Sequence, residues 1–228
     1  MTTRLTNYDY ERLMRPLYSY AEADRLAWAT RGTASRWLKG YVSQDEWGVQ
    51  TWQPPVTPGT GERGAVSFLD LIEVVAIGKL RAENVSLPKI RQFVKDCKEV
   101  LGLPRPLVTE VFRTDGREIF IAEGDFLLEV GHRSVQQVWD EILDPYLRTI
   151  DYHHELARRW WPRGREIRVV IDPNYGFGLP VVYGSGVRTE IILERHNVGA
   201  SNEEIAQDFG LRVPEIEDGL SYELDEAA

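Results

Sequence analysis

YSYAEADRLAWATRGTASRWLKGY, residues 18–41, decides how this chain is read: two short helical patterns split by a tight polar junction, as a helix-turn-helix requires. Ser19 is placed to cap a first helix with Ala23, Leu26 and Ala27 on one face, and the small Ala21, Ala23 and Ala27 let a second helix pack closely. Thr30 is placed to cap that second helix. From Arg31 to Lys39 the apolar Ala34, Trp37 and Leu38 fall on an inward face. Thr30, Arg31, Thr33, Ser35, Arg36 and Lys39 are left as polar or cationic groups suited to a DNA groove and its phosphates. Gly40 ends the helix.

Outward from this unit, residues 41–64 are rich in Gly, Pro and Thr and include Trp47 and Trp52, which predicts a short hairpin wing and a loop. Ser67 caps a predicted helix through Leu80, with Phe68, Leu71, Ile72, Val75 and Leu80 inward. Ser86 opens another through Leu101, where Leu87, Ile90, Val94, Cys97 and Leu101 recur at alternating spacings of three and four, a seam that fits either a helix pair or an ordinary core face. In this order of parts the chain resembles the MerR-type DNA-binding fold. In that family a YS-x-x-EA opening leads to a recognition helix, a wing and a helix pair joined by LR-x-x-x-x-SL-x-x-IR, which here reads Leu80, Arg81, Ser86, Leu87, Ile90 and Arg91. The resemblance spans Tyr18 to Leu101. The chain departs from it at Trp28, where the turn usually has glycine, and at Asp45 and Glu46, where the wing usually carries arginine and tyrosine. The cysteines of metal-sensing members are missing, so metal sensing is not implied.

The chain has 228 residues, 43% of them hydrophobic, enough to fill the core of one large domain or two small ones. Cys97 is the single cysteine, which rules out an intrachain disulfide and fits a reducing compartment. The start MTTRLTNYDY lacks the apolar core of a signal peptide and no run approaches a membrane span, so a cytoplasmic protein with no membrane role is expected. The net charge of −9 is uneven: residues 197–228 hold nine acids against Arg212, whereas residues 1–196 hold 26 bases and 27 acids. Residues 18–41 carry Arg25, Arg31, Arg36 and Lys39 against Glu22 and Asp24, so DNA binding is permitted but weakly driven.

Leu107–Phe112 and Glu118–Glu123 alternate like strands about the turn Thr114, Asp115, Gly116, which predicts a central β-hairpin. Ser134 is placed to cap a helix through Leu147 that covers it. Residues 151–168, DYHHELARRWWPRGREIR, read as a linker or interaction segment. Arg158, Arg159, Arg163 and Arg165 surround Trp160 and Trp161, the two residue types most enriched among binding hot spots. His153 and His154 lie beside Asp151 and Glu155, but no second cluster completes a metal site, and neither metal nor cofactor is expected.

The final module reads as strand 168–171, turn, strand 179–182, a helix from Thr189 to His196, a Ser201/Glu204 capping box opening a helix through Phe209, and a last helix from Pro214 through Tyr222 that exposes Glu215, Glu217 and Asp218. Residues 172–223 resemble a small bacterial and archaeal domain marked by P-x-x-x-G-x-x-x-T and G-x-S-x-E-E-I-A. Here those marks are Pro180, Gly184, Thr189, Gly199, Ser201, Glu203, Glu204, Ile205 and Ala206. That domain occurs in VapB-type antitoxins, partners of PIN-domain RNase toxins, and a MerR-like head before it is similar to the large mycobacterial members.

The expected fold is therefore α+β and mainly helical. A MerR-like winged helix-turn-helix head fills 1–105, a hairpin and helix 106–150, the Arg/Trp segment 151–168, and a β-hairpin with three helices and an acidic tail 169–228. The resemblance implies an antitoxin that inhibits a PIN-domain (VapC-type) toxin and, as a homodimer, binds operator DNA and represses its own operon. PIN toxins hold a divalent ion with clustered carboxylates, which an arginine plug would block; Arg158, Arg159, Arg163 and Arg165, with Trp160 and Trp161 as apolar anchors, are the expected toxin-binding residues. The alternative is a MerR-like regulator that senses a small ligand without a toxin. An enzyme is not expected: the chain has no phosphate loop, no Gly-x-Ser-x-Gly elbow and no cysteine with a dyad, and His132, His153, His154 and His196 are scattered.

Overall fold

The computed structural model describes residues 7–59, 64–122 and 135–226. It is α+β and mainly helical, with small antiparallel two-stranded sheets. The chain divides into two units, one of Met1–Arg148 with Tyr152–Ala157, the other of Thr149–Asp151 with Arg158–Ala228. No helix among the described residues is long and apolar enough to cross a membrane.

The first unit opens with α1 (Asn7–Leu13), β1 (Pro16–Tyr18), α2 (Tyr20–Leu26) and α3 (Thr33–Lys39), followed by the predicted wing, β2 (Tyr41–Gln44) paired with β3 (Gln50–Gln53). β4 (Val66–Ser67) pairs with β1 and leads into α4 (Phe68–Ala82), the central helix, in which Phe68 to Ile77 are all buried. Ser67 and Asp70 form its capping box. α5 (Leu87–Leu101) buries Ile90, Val94 and Cys97 of the predicted seam together with Phe93, while Leu87 and Leu101 at its ends are half-buried.

The central hairpin is not formed. After a 3₁₀ turn (Pro106–Val108) the chain continues as α6 (Glu110–Ala122), and Glu123 and Ser134 lie outside the described residues. The apolar positions repeat every four residues, with Val108, Phe112 and Phe120 buried. The Thr109 hydroxyl accepts from the Phe112 N–H at 3.2 Å, as a helix cap does. Gly116 is a close-packing residue here, not a turn residue: a Cβ on it would come within 2.5 Å of the Phe112 ring. Phe93, Phe112, Phe120 and Trp139 form an aromatic cluster with ring centroids 5.4–6.0 Å apart, a reward that only the helical spacing collects. Trp139 comes from the predicted following helix, which runs as α7 (Val135–Val138), a π-helical turn (Trp139–Leu143) and α8 (Asp144–Arg148).

The segment 151–168, read as a linker or interaction segment, carries regular structure in its first part. β5 (Ile150–His153) and β6 (Leu156–Trp160) form a hairpin whose tip, His154 and Glu155, takes positive φ of 49° and 67°. In the second unit, Trp160 exchanges backbone hydrogen bonds with Ile171 beside the pair β7 (Val169–Val170) and β8 (Val181–Val182). Three helices follow as predicted: α9 (Thr189–Asn197), α10 (Asn202–Phe209) and α11 (Val213–Glu226). They enclose Val182, Ile192, Ile205, Ala206, Ile216 and Leu220. Gly210, at φ 65°, ends α10 in the left-handed conformation that glycine tolerates.

Candidate DNA-binding helix and C-terminal module

The first helix of the candidate DNA-binding unit begins with a complete capping box. The Ser19 hydroxyl accepts from the Glu22 N–H at 3.2 Å and the Glu22 carboxylate accepts from the Ser19 N–H at 2.7 Å, which hold the Glu22 pKa below its ordinary value. The turn after it reverses at Trp28, whose φ of 48° accounts for the glycine that the MerR-type turn usually has there.

The cap predicted at Thr30 is replaced by a stronger one. α3 starts at Thr33 after Gly32, and the donors at its start are taken by the buried Asp24 carboxylate: Gly32 N–H and Ala34 N–H each donate to it at 2.6 Å. Thr30 instead shares a 3.0 Å hydroxyl contact with Thr33. An acid bonded to two free N–H groups at a helix start combines a charge-assisted hydrogen bond with the favourable end of the helix dipole. Asp24 was legible only as an acid set among the inward Ala23, Leu26 and Ala27 with no base one turn later.

Of the six predicted DNA-binding residues, Thr30, Arg31, Arg36 and Lys39 are exposed and Ser35 is half-buried. Thr33 is buried and is not available to DNA, because its hydroxyl faces Thr30. Arg36 folds along its own helix, with Nε donating to the Gly32 carbonyl at 3.2 Å, and Lys39 Nζ lies 4.3 Å from the centre of the Tyr20 ring. In the wing Val42 faces Trp52 across the ladder. Its tip is an Asx turn in which Asp45 accepts from Trp47 N–H and Val49 N–H at 2.9 and 2.8 Å, leaving Glu46 and Trp47 exposed. Such a tip offers phosphate no cation. Arg91 of the helix-pair signature ties the wing's exit to α5, its Nε donating to the Pro54 carbonyl at 2.9 Å.

Beneath this surface lies a buried charge cluster that sequence reading passed over. Arg105 donates to Asp70 at 2.5 Å, to Glu73 and to the Met14 sulfur, and Thr57 donates to Glu73 at 2.8 Å. Burial alone would lower the Arg105 pKa, but Glu73 and Asp70 hold it above its ordinary value. The signal was present as two acids, Asp70 and Glu73, inside the inward-facing SFLDLIEVV. Nearby, burial raises the Tyr146 pKa, and its hydroxyl donates to the Ile72 carbonyl at 3.0 Å.

In the second unit the predicted toxin-binding residues serve two ends. Trp160 and Trp161 are 1% and 7% exposed, so they are core residues and not surface anchors. Trp161 donates through its indole N–H to Asp151 at 3.0 Å. Arg159 is pinned by the fully buried Asp172, with donors at 2.9 and 3.1 Å, and has Asp151 at 3.5 Å. Arg165 pairs with Asp151 at 2.7 Å and is 51% exposed in its side chain, while Arg158 and Arg163 are half-buried. The acids of α11 are also partly engaged: the predicted exposure holds for Glu217, whereas Asp218 accepts from Arg168 N–H at 3.0 Å and Glu215 is buried. Arg212, through its side chain and its N–H, holds the Glu215 carboxyl down to about 2.

Residues 16–94 match the family described as "Putative DNA-binding HTH domain", and residues 169–222 match "Protein of unknown function (DUF433)". The chain is 29% identical over 222 residues to "Putative antitoxin VapB45" of Mycobacterium tuberculosis, covering 90% of this chain and 92% of that protein. It is 22% identical over 230 residues to "Uncharacterized protein Rv2308" of the same organism, covering 92% and 91%. The crystal structure of Rv2018 from Mycobacterium tuberculosis superposes with a TM-score of 0.68 at 26% identity, over 90% of this chain and 98% of that one. Along 90% of its length the chain is thus similar to a protein named "Putative antitoxin VapB45", with a match to a helix-turn-helix domain near its start and to DUF433 near its end.

Proposed function

We propose that the chain is a DNA-binding antitoxin. α3 and the turn before it lay Arg31, Arg36 and Lys39 against operator DNA, a homodimer sets two copies of α3 one duplex turn apart, and the bound dimer represses its own operon. The observation that supports this reading is a cationic helix fixed by Asp24 in a chain similar over 90% of its length to a protein named as an antitoxin. The partner is a PIN-domain (VapC-type) RNase in the cytoplasm, whose metal-holding carboxylates face arginine. Arg158, Arg163 and Arg165 meet that site, while Arg159, Trp160 and Trp161 hold the module together.

The test has two arms. In gel shift with its own upstream DNA, Arg31→Ala/Arg36→Ala/Lys39→Ala is expected to lose at least about tenfold in affinity and to flatten the salt dependence. In co-purification with the product of the neighbouring gene, the complex is expected to lack ribonuclease activity, and Arg158→Ala/Arg163→Ala/Arg165→Ala to restore it. Binding to DNA without capture of any neighbouring product would instead mark a MerR-like regulator answering to a small ligand. Failure in both arms overturns the reading.

A further inference from the structure

The second unit holds a cavity of about 280 Å³ lined by Arg159, Val170, Tyr175, Val181, Tyr183 and the 184–186 turn. That lies below the roughly 300–1,000 Å³ of small-molecule sites and suits a single side chain. Its walls are set in advance. The Tyr183 ring packs 4.8 Å from Trp161, and the Arg159 guanidinium sits 5.0 Å from its centre. The Arg159 charge is already matched by Asp172 and Asp151, so the cavity presents no spare cation to an anion and favours a neutral ring.

A neutral ring is displayed by the loop that supplies Tyr175. Phe177 is 84% exposed and sits at φ 59°, a left-handed conformation that a residue with a Cβ adopts at a cost. Gly176 and Gly178 hold it there, and a Cβ on Gly176 would collide with Val181. An aromatic held out of the core in a strained turn, two residues from the rim of this cavity, gives one surface both a knob and a socket. We propose that the occupant is a second copy of this chain: in a two-fold contact Phe177 of each protomer enters the cavity of the other, with Tyr175 and Tyr183 forming the rim. The proposal rests on the dimer of the preceding reading and assigns it a surface.

Sedimentation equilibrium of the full chain and of Phe177→Gly tests it. Glycine removes the knob and also relieves the left-handed strain, so the variant is expected to keep or raise its melting temperature when dilute while its dimer dissociation constant rises more than tenfold. A purely structural Phe177 would lower the melting temperature and leave association unchanged, which overturns the proposal. In the unaltered chain, raising the concentration is expected to protect the amides of 176–178 and 183–186 from hydrogen exchange, a readout that needs no variant; no such protection overturns it. A monomeric natural chain overturns this proposal and the dimer reading together. A dimer that Phe177→Gly leaves intact overturns this proposal alone, as does a variant that still dimerises but no longer captures the neighbouring gene's product.

Discussion

The helical hairpin near the start of the chain, α2–α3, and the one near its end, α10–α11, open on the same device. Ser19 with Glu22 and Ser201 with Glu204 form capping boxes whose hydroxyl bonds are 3.2 Å in both and whose carboxylate bonds are 2.7 and 2.8 Å. They differ in what lies on and under the second helix. α3 shows Arg36 and Lys39 to solvent, with Arg31 in the turn before it, and is held by Asp24, in a unit that also buries Asp70, Glu73 and Arg105. α11 shows Glu217, and its inward residues Ile216 and Leu220 close an apolar core. The same local capping thus yields the same geometry twice, while the charges placed on it and beneath it decide what each hairpin can bind and what it tolerates.

Four substitutions test how far that comparison holds. The largest expected effect is Arg105→Met, which keeps the stem but strands Asp70 and Glu73 in the core; it should cost the head about 3–5 kcal/mol in chemical denaturation. No single charge removal in α11 should approach this. Asp24→Ala comes next, at about 2 kcal/mol, because the Gly32 and Ala34 N–H groups lose the carboxylate they donate to, and DNA affinity should fall with it because the start of α3 is no longer fixed. Equal melting curves for Asp24→Ala and the natural chain would show that the Gly32 turn alone sets α3. The smallest effects are Ser19→Ala and Ser201→Ala, about 1 kcal/mol each. If the hairpins share a fold but not a task, only Ser19→Ala weakens the gel shift.

The parts of the molecule set by near neighbours were legible in the sequence. The caps at Ser19 and Ser67, the Ser201/Glu204 capping box, the wing and the order of helices in the C-terminal module follow from residues within a few positions of one another. The helical state of 110–122 was not, because Thr114-Asp115-Gly116 has the composition of a turn and the force that overrides it is Trp139, more than twenty residues on. The hairpin of 150–160 was also hidden: its left-handed tip falls on His154 and Glu155, where a turn would ordinarily advertise Asn or Gly. At the candidate DNA site the exposed cations were readable from helical spacing, but Asp24 was not, since a buried acid identifies itself only through the amides it meets.

The Arg105–Asp70–Glu73 cluster also bears on how such a head diverges among relatives. An ancestor that loses any one member is left with an uncompensated charge in its interior, so the three positions cannot drift separately. They are inherited as a set or exchanged together for apolar residues, and an alignment of descendants would show them as one character with two states. The exposed Arg31, Arg36 and Lys39 carry no such tie among themselves and are free to change one at a time, which lets a lineage alter the DNA it reads while the frame beneath stays fixed.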